Sequence, residues 1–247
     1  MAIANLQPQD RVAIVGKTGS GKTQEGTVIA SYFAQQLHAP WEVWWLDTKG
    51  VDEDIQRLRD WGACNASSDK DLARPGGLRN FKYFIINEDN GYSVVDQAQA
   101  LCQKAYLRGH VIVVADEYTS ICPSDRSPGY GLKNVFARGR GRNVGLIGLT
   151  QEPVNVPRML LSQASHLVLF TVSYPYDIKY LKTLYVGYVP PADKGDTHGF
   201  YWSHIDGSAK WAYYPNQAAW ANGLHFALPR PPSGTPQTSE TAPSDPQ

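Results

Sequence analysis

The alternation of short apolar runs with longer amphipathic stretches is the feature that most restricts the fold of this chain. The apolar runs read RVAIV, WEVWWLD, FKYFII, HVIVVA, VGLIGLT and HLVLFTV, and stretches with helical periodicity lie between them. Strands this uniformly apolar need cover on both faces, which is typical of parallel sheets between helices. The pattern therefore predicts an α/β three-layer sandwich with a mostly parallel central sheet.

The amphipathic stretches predict the helices, and two further strands follow them. The expected helices span residues 24–37, 51–61, 94–108, 132–137, 158–164 and 176–185. Strands at 199–202 and 209–214 flank the turn HIDG and predict a C-terminal β-hairpin at the sheet edge. From residue 229 the chain has no aromatic side chain and little to bury. We therefore expect one domain over residues 1–228 and a disordered Pro/Ser/Thr-rich tail over 229–247.

Charge and cysteine content exclude several classes of protein. Lys plus Arg and Asp plus Glu number 23 each, so the chain lacks the bulk positive charge of proteins that coat nucleic acid. Its three cysteines are odd in number and form no CxxC pair, which indicates neither a disulfide framework nor a zinc site. No apolar run is long enough to span a bilayer and the N-terminus lacks an apolar signal segment, so we expect a soluble intracellular protein without membrane insertion.

A glycine-rich loop, GKTGSGKT, lies between the first strand and the first helix. Its residues are Gly16, Lys17, Thr18, Gly19, Ser20, Gly21, Lys22 and Thr23. Glycines let backbone N–H groups converge on phosphates at a helix N-terminus, where the helix dipole favours negative charge. In this pattern Lys22 reaches the outer phosphates and the Thr23 hydroxyl binds Mg²⁺. The flanking strand and helix favour nucleotide binding over a ligand-free glycine turn.

A second element of phosphate chemistry is the run HVIVVADE, four apolar β-formers followed by two carboxylates. Asp116 is expected to hold the Mg²⁺ shell. Glu117 points differently, because side chains alternate along a strand, and we expect it to orient and deprotonate the attacking water. Taken alone, Glu117 is better explained as a surface carboxylate at a strand end, but its pairing with the glycine-rich loop favours catalysis.

Four segments follow one another along the chain: the glycine-rich loop, VVADE, GRGRNVGLIGLTQEPVNVP and SYPYD. In their order and spacing the chain resembles the FtsK–HerA superfamily of DNA-pumping ATPases. The resemblance extends from about residue 11 to residue 184. LDTKG is similar to that family's Asp-Pro-Lys-Gly, with Thr48 in place of proline, and Asn143 stands where the family usually has glycine. Asn also enters the left-handed conformation, so the change is tolerable. The resemblance implies a RecA-like P-loop fold, Mg²⁺-dependent ATP hydrolysis, a ring of five or six copies, and sequence-independent transport of double-stranded DNA.

Three arginines, Arg138, Arg140 and Arg142, precede the VGLIGLT strand, and their pattern alone is open to three interpretations: a solvated turn, a DNA patch or a catalytic device. Glycine on each side of Arg140 favours extended or turning backbone from Gly139 onward. The resemblance implies that Arg140 reaches the nucleotide of the neighbouring subunit, with the other two arginines as reserves. It also implies that Gln151 senses the γ-phosphate, although a polar strand cap explains that residue nearly as well.

Within the superfamily the chain resembles the genome-packaging ATPases of tailless icosahedral viruses with an internal membrane. These load DNA into a preformed capsid, which implies a capsid-vertex or portal partner and location in the host cytoplasm or at the packaging vertex of the virion. A plasmid or conjugative DNA-transfer ATPase would share every catalytic residue. A nucleotide-gated assembly protein that does not hydrolyse ATP is the alternative from another class, and Glu117 argues against it.

Overall fold

The computed structural model describes residues 6–49, 64–65, 80–88, 91–122, 128–184, 198–204 and 209–214. These residues form one nine-stranded sheet with helices packed against it. The strands are β1 Arg11–Val15, β2 Glu42–Asp47, β3 Cys64–Asn65, β4 Phe81–Ile85, β5 Val111–Ala115, β6 Val144–Thr150, β7 His166–Leu169, β8 His198–His204 and β9 Ala209–Tyr214. The helices are α1 Lys22–Gln36, α2 Val94–Arg108, α3 Tyr118–Ile121, α4 Tyr130–Arg138, α5 Arg158–Ser162 and α6 Pro175–Leu184.

The strand order in the sheet is β3-β4-β2-β5-β6-β1-β7-β8-β9. The pairs from β3 to β7 are all parallel, and β8 and β9 form an antiparallel hairpin beside β7. The predicted fold, a mostly parallel sheet with a C-terminal hairpin, is therefore confirmed. The parallel strands all end at one edge of the sheet, here called the carboxyl edge, and all begin at the opposite, amino edge. In sheets of this kind, ligands bind beyond the carboxyl ends of the strands.

Two apolar clusters lie on the two faces of the sheet. One joins α1 to the sheet through side chains such as Phe33 and Trp45, and the other joins α2 and α4 to it through Ala105, Phe136 and Val113. The central strands β5 and β6 are buried along their whole length. This burial on both faces explains why their sequences are continuously apolar instead of alternating.

The segment around the three arginines has turning backbone, one of the two conformations that its glycines favour, and is not extended. Residues Gly139–Arg142 form a single 3₁₀ turn after α4, and Asn143 ends it in the left-handed conformation, with φ 57°. A Cβ on Gly139 would lie 2.8 Å from the carbonyl oxygen of Val144, so the turn packs too closely for any side chain at that position. Left-handed Asn143 agrees with the expectation from its conformational freedom.

Other expected boundaries shift by a few residues. Helix α1 begins two residues earlier than expected, α4 extends two residues further at its start, and α5 ends at Ser162. The expected helix at 51–61 and the tail at 229–247 lie outside the described residues, so the single-domain boundary at residue 228 stays a prediction. None of the helices in the described ranges has the length and apolar character needed to cross a membrane.

Candidate nucleotide-binding site

The glycine-rich loop connects the carboxyl end of β1 to the N-terminus of α1, as the sequence predicts. Gly19 and Gly21 adopt φ values of 73° and 101°, a region that side-chain-bearing residues rarely enter. A Cβ on Gly16 would lie 2.5 Å from the Cβ of Phe170, so this glycine permits close packing against the strand β7 region. No side chain caps the first turn of α1. Its backbone N–H groups are therefore oriented to bind an anion such as phosphate.

A cavity of about 190 Å³ lies over this helix terminus, and Lys22, Thr23, Lys49 and Gln151 contribute to its walls. The Lys22 ammonium is largely buried and donates a hydrogen bond to the carbonyl oxygen of Lys17 at 2.8 Å. Burial lowers the pKa of Lys22 to about 8, and the opposing attraction of the Glu117 and Asp116 carboxylates only partly offsets this effect. A bound phosphate would supply the missing negative charge, so the site is electrostatically incomplete without an anion.

Asp116 and Thr23 form a pair of oxygen ligands beside this cavity. The Thr23 hydroxyl donates to Asp116 Oδ1 at 3.1 Å, and Asp116 is buried at the carboxyl end of β5. A carboxylate and a hydroxyl suit Mg²⁺, which prefers oxygen ligands and keeps phosphate oxygens and waters in its shell. Among the described residues no three His, Cys, Asp or Glu side chains cluster as a metal site. Phosphate oxygens and water would complete the Mg²⁺ shell.

Lys49 is a site residue that belongs to the LDTKG motif, to which the sequence analysis assigned no role. It follows β2, which neighbours β5 in the sheet, and its ammonium lies 3.1 Å from Asp116 Oδ2. The LDTKG motif could have pointed to Lys49, but the motif alone does not show that β2 lies beside β5. Lys49 thus adds a second positive charge to the cavity that holds Lys22.

Glu117 and Gln151 are hydrogen-bonded to each other at the same edge of the sheet. The Gln151 amide donates to Glu117 Oε2 at 3.0 Å and accepts from the Thr18 hydroxyl at 2.5 Å. The Thr119 hydroxyl donates to the other carboxylate oxygen, Glu117 Oε1, at 2.6 Å. Because both ends of the Gln151 amide are engaged, it connects the glycine-rich loop to the carboxylate after β5. The structure therefore brings together Thr18, Glu117 and Gln151, and Thr119 is a residue that the sequence analysis missed.

Arg140 lies at the other edge of the sheet from these residues. The Arg140 guanidinium is 3.6 Å from Oδ1 of Asp10, the residue immediately before β1, and the Arg140 side chain is 62% exposed. The seven residues of β6 separate it from Gln151, and at about 3.3 Å per residue this is a distance on the order of 20 Å. Arg140 therefore cannot contact a nucleotide bound to its own glycine-rich loop.

Arg138 and Arg142, the alternatives to Arg140, differ in their surroundings. The Arg142 guanidinium donates to the carbonyl oxygens of Tyr106 and Leu107 at 3.3 and 2.9 Å, in the last turn of α2. Helix carbonyls there lack intrahelical partners, so Arg142 caps α2. Arg138 is exposed at the end of α4. The structural role of Arg142 leaves Arg138 and Arg140 as the arginines available to a partner.

The fold is similar to that of the genome packaging NTPase B204 from Sulfolobus turreted icosahedral virus 2. The B204 complex with ATP-gammaS matches with a TM-score of 0.58 and 18% identity, over 83% of this chain and 98% of B204. The B204 complex with sulfate gives a TM-score of 0.63 at 18% identity, over 83% and 96%. EssC (ATPases 2 and 3) from Geobacillus thermodenitrificans gives 0.58 at 11% identity, over 89% of this chain and 43% of that one.

No protein-family model and no curated protein sequence matches the chain. At identities this low, the structural similarity establishes the fold, which is that of RecA-like P-loop NTPases. The resemblance inferred from the sequence motifs is confirmed at this level.

Proposed function

We propose that this chain is a Mg²⁺-dependent ATPase of the FtsK–HerA type that pumps double-stranded DNA, and that it packages a viral genome into a preformed capsid. The ATPase proposal rests on the hydrogen bonds that join Thr18 to Gln151 and Gln151 to Glu117. These bonds connect the glycine-rich loop to a carboxylate that attracts the Lys22 ammonium. The packaging role is supported by the similarity in fold to B204, a genome packaging NTPase.

Each residue has a role that follows from its position. Lys22 and the N-terminal N–H groups of α1 would bind the outer phosphates, and Thr23 and Asp116 would hold Mg²⁺. Mg²⁺, when bound, neutralises charge on the phosphate oxygens. Glu117 would accept the proton of the attacking water, with its orientation set by the hydrogen bonds from Thr119 and Gln151. Gln151 would report the presence of the outer phosphate, because it touches both Glu117 and the loop.

Arg140 would act on the nucleotide of a neighbouring copy, since its own glycine-rich loop is at the opposite edge of the sheet. A guanidinium there would stabilise charge on the transferring phosphoryl group. A residue supplied from one edge to a site on the other makes a head-to-tail contact, which closes into a ring when the rotation permits. We propose a ring of five or six copies that surrounds DNA at a capsid vertex or portal, in the host cytoplasm or the virion.

ATP binding and hydrolysis by two variants test this proposal. Glu117→Gln should bind ATP with nearly unchanged affinity but lose turnover, whereas Lys22→Ala should lose both, because only Lys22 contacts phosphate. Glu88→Gln, an exposed Glu beyond β4, is the matched control and should behave as wild type. Translocation is measured by ATP-dependent displacement of a third strand from duplex DNA.

Two results would overturn the proposal. Wild-type hydrolysis by Glu117→Gln would remove Glu117 as the base. A wild-type protein that binds ATP but neither hydrolyses it nor displaces the third strand would support the nucleotide-gated assembly protein instead.

A further inference from the structure

Two different cations can pair with the Asp116 carboxylate, and the structure shows one of them. The Asp116 side chain is buried, and the Lys49 ammonium lies 3.1 Å from its Oδ2 atom. The other oxygen, Oδ1, accepts the hydrogen bond from the Thr23 hydroxyl. A buried carboxylate needs a positive partner, because an uncompensated buried charge is strongly destabilising. Lys49 is that partner in this structure.

Mg²⁺ would need the same carboxylate. Thr23 and Asp116 provide the oxygen atoms that suit Mg²⁺ in this cavity. The Lys49 ammonium and Mg²⁺ repel each other, and the Asp116 carboxylate carries only a single negative charge. The two cations therefore compete for Asp116 unless further negative charge enters the cavity.

The backbone at Lys49 is held in place, whereas its side chain has room to move. The Lys49 N–H donates to Oδ1 of Asp47, a buried residue at the end of β2, at 2.8 Å. The neighbouring strand is held in register, because the Asp116 N–H donates to the carbonyl oxygen of Leu46 at 3.3 Å. The Lys49 side chain is 41% exposed and borders the cavity that Lys22 also lines. Rotation about its side-chain bonds can thus carry the ammonium from Asp116 into the cavity while β2 and β5 stay in place.

A bound nucleotide would remove the competition. Its phosphates would bring several negative charges into the cavity that Lys22 and Lys49 border. These charges can attract the Lys49 ammonium and Mg²⁺ at the same time, so Lys49 no longer needs Asp116. Nucleotide and Mg²⁺ should then each favour the binding of the other, which is a coupling between two ligands.

We propose that Lys49 controls the access of Mg²⁺ to Asp116. Paired with Asp116, the Lys49 ammonium keeps free Mg²⁺ out of the site; an incoming nucleotide draws the ammonium away and opens the carboxylate to the metal. This inference rests on the proposed function, because it concerns the same ATP and Mg²⁺ site. It gives Lys49 a role in selecting nucleotide together with Mg²⁺.

Binding of Mn²⁺ to the full chain without nucleotide tests the first half of the proposal. Mn²⁺ takes the same oxygen ligands as Mg²⁺, and electron paramagnetic resonance measures its unbound fraction. Wild type should bind Mn²⁺ weakly, and Lys49→Met should bind it about tenfold more tightly, a factor typical of coupling between ligands. Lys49→Arg keeps the positive charge and should stay close to wild type. So should Lys104→Met, the matched control at an exposed position of α2.

A second substitution shows whether the additional Mn²⁺ affinity belongs to Asp116. Asp116→Asn introduced into the Lys49→Met chain removes the charge for which the cations compete, so the gain should be lost. A gain that persists would mean that Mn²⁺ binds elsewhere and would overturn the proposal. Equal Mn²⁺ affinities of wild type and Lys49→Met would also overturn it. If Lys49→Met does not fold, Lys49→Gln takes its place, because it too removes the charge.

The affinity for ATP-gammaS tests the second half, the release of Lys49 from Asp116. This affinity is measured in EDTA and in Mn²⁺, and the ratio of the two values reports how tightly the metal binds once nucleotide is present. The ratio should be the same in wild type and Lys49→Met, because Lys49 has already left Asp116. A ratio raised as much as the Mn²⁺ affinity of the nucleotide-free chain would show that Lys49 competes with the metal in both states, which contradicts release.

ATP hydrolysis by wild type separates failure of this inference from failure of the proposed function. If wild type hydrolyses ATP but Lys49→Met gains no Mn²⁺ affinity, only the role of Lys49 is overturned, and the ion pair with Asp116 serves the fold alone. If wild type does not bind ATP, the proposed function is overturned and this inference with it.

Discussion

Replacing Lys22 by methionine should stabilise the nucleotide-free protein while abolishing ATP binding. The pKa of Lys22 falls from the ordinary 10.5 to about 8 in the folded chain, because burial disfavours its charged form. At pH 7 the side chain is charged in both the folded and the unfolded states. The difference of about 2.5 pH units, at about 1.4 kcal/mol each, means that burying this charge lowers the free energy of unfolding by about 3 kcal/mol.

Methionine keeps a similar length without the charge, so Lys22→Met removes this destabilisation. It also removes the hydrogen bond from Lys22 to the Lys17 carbonyl oxygen, which contributes about 1 kcal/mol. The free energy of unfolding should therefore rise by about 2 kcal/mol at pH 7. For a chain of this size that corresponds to an increase in Tm of about 4–8 °C.

The pH dependence has a defined sign. As pH rises through 8 the folded chain releases the Lys22 proton while the unfolded chain keeps it up to about 10.5, so wild-type stability increases in this window. The advantage of Lys22→Met should thus disappear by about pH 10. Groups that do not interact with Lys22 titrate equally in both proteins and cancel in the difference.

Urea unfolding of both proteins at pH 7 and pH 10, in EDTA and without nucleotide, measures this difference. Lys104→Met, at an exposed position of α2, controls for the substitution itself and should change stability by less than about 0.5 kcal/mol. A Lys22→Met protein no more stable than wild type at pH 7 would contradict the destabilising effect of the buried charge. So would an advantage of the same size at pH 10.

Three further predictions concern the arginine, its acidic partner and DNA. Arg140→Ala should bind ATP but lose about 10³- to 10⁵-fold in turnover. Mixing Arg140→Ala subunits with Lys22→Ala subunits should restore part of the ATP hydrolysis. If the mixed subunits co-assemble but their activity does not exceed the sum of the two parent activities, Arg140 does not act in trans. Asp10→Asn should reduce turnover no more than about fivefold, because the Arg140 side chain is exposed and an ion pair with an exposed partner contributes little. Burial raises the pKa of Asp10, but hydrogen bonds from His166 and the Gln7 N–H outweigh burial, so the pKa in the folded chain is below its ordinary value. Asp10→Asn should therefore lower the free energy of unfolding above about pH 4, and this loss should vanish as acid protonates Asp10 in the wild type. Parallel curves of stability against pH for the two proteins would contradict this. DNA binding should weaken steeply with salt and be equal for scrambled duplexes, as competition assays at fixed salt will measure, and a strong sequence preference contradicts a pump.

The layers of the fold and the position of the glycine-rich loop between a strand and a helix could be predicted from the sequence. Both depend on local patterns. Continuous apolar runs indicate strands buried on two faces, and glycines at positions 19 and 21 meet backbone angles that other residues avoid. The helix expected at 94–108 is observed with those bounds, since Ser93 caps its start and Gly109 follows its end.

Contacts between these elements, in contrast, could not be predicted from the sequence. Thr18 and Gln151 are 133 residues apart, and Thr23 and Asp116 are 93 apart, so no local pattern relates them. Their contacts depend on β6 lying between β1 and β5, and Lys49 joins them because β2 lies on the other side of β5. Because β6 and β1 are parallel, Arg140, before β6, and the glycine-rich loop, after β1, lie at opposite edges of the sheet. Strand order results from long-range packing of the whole sheet, whereas periodicity and glycine positions reflect each segment alone.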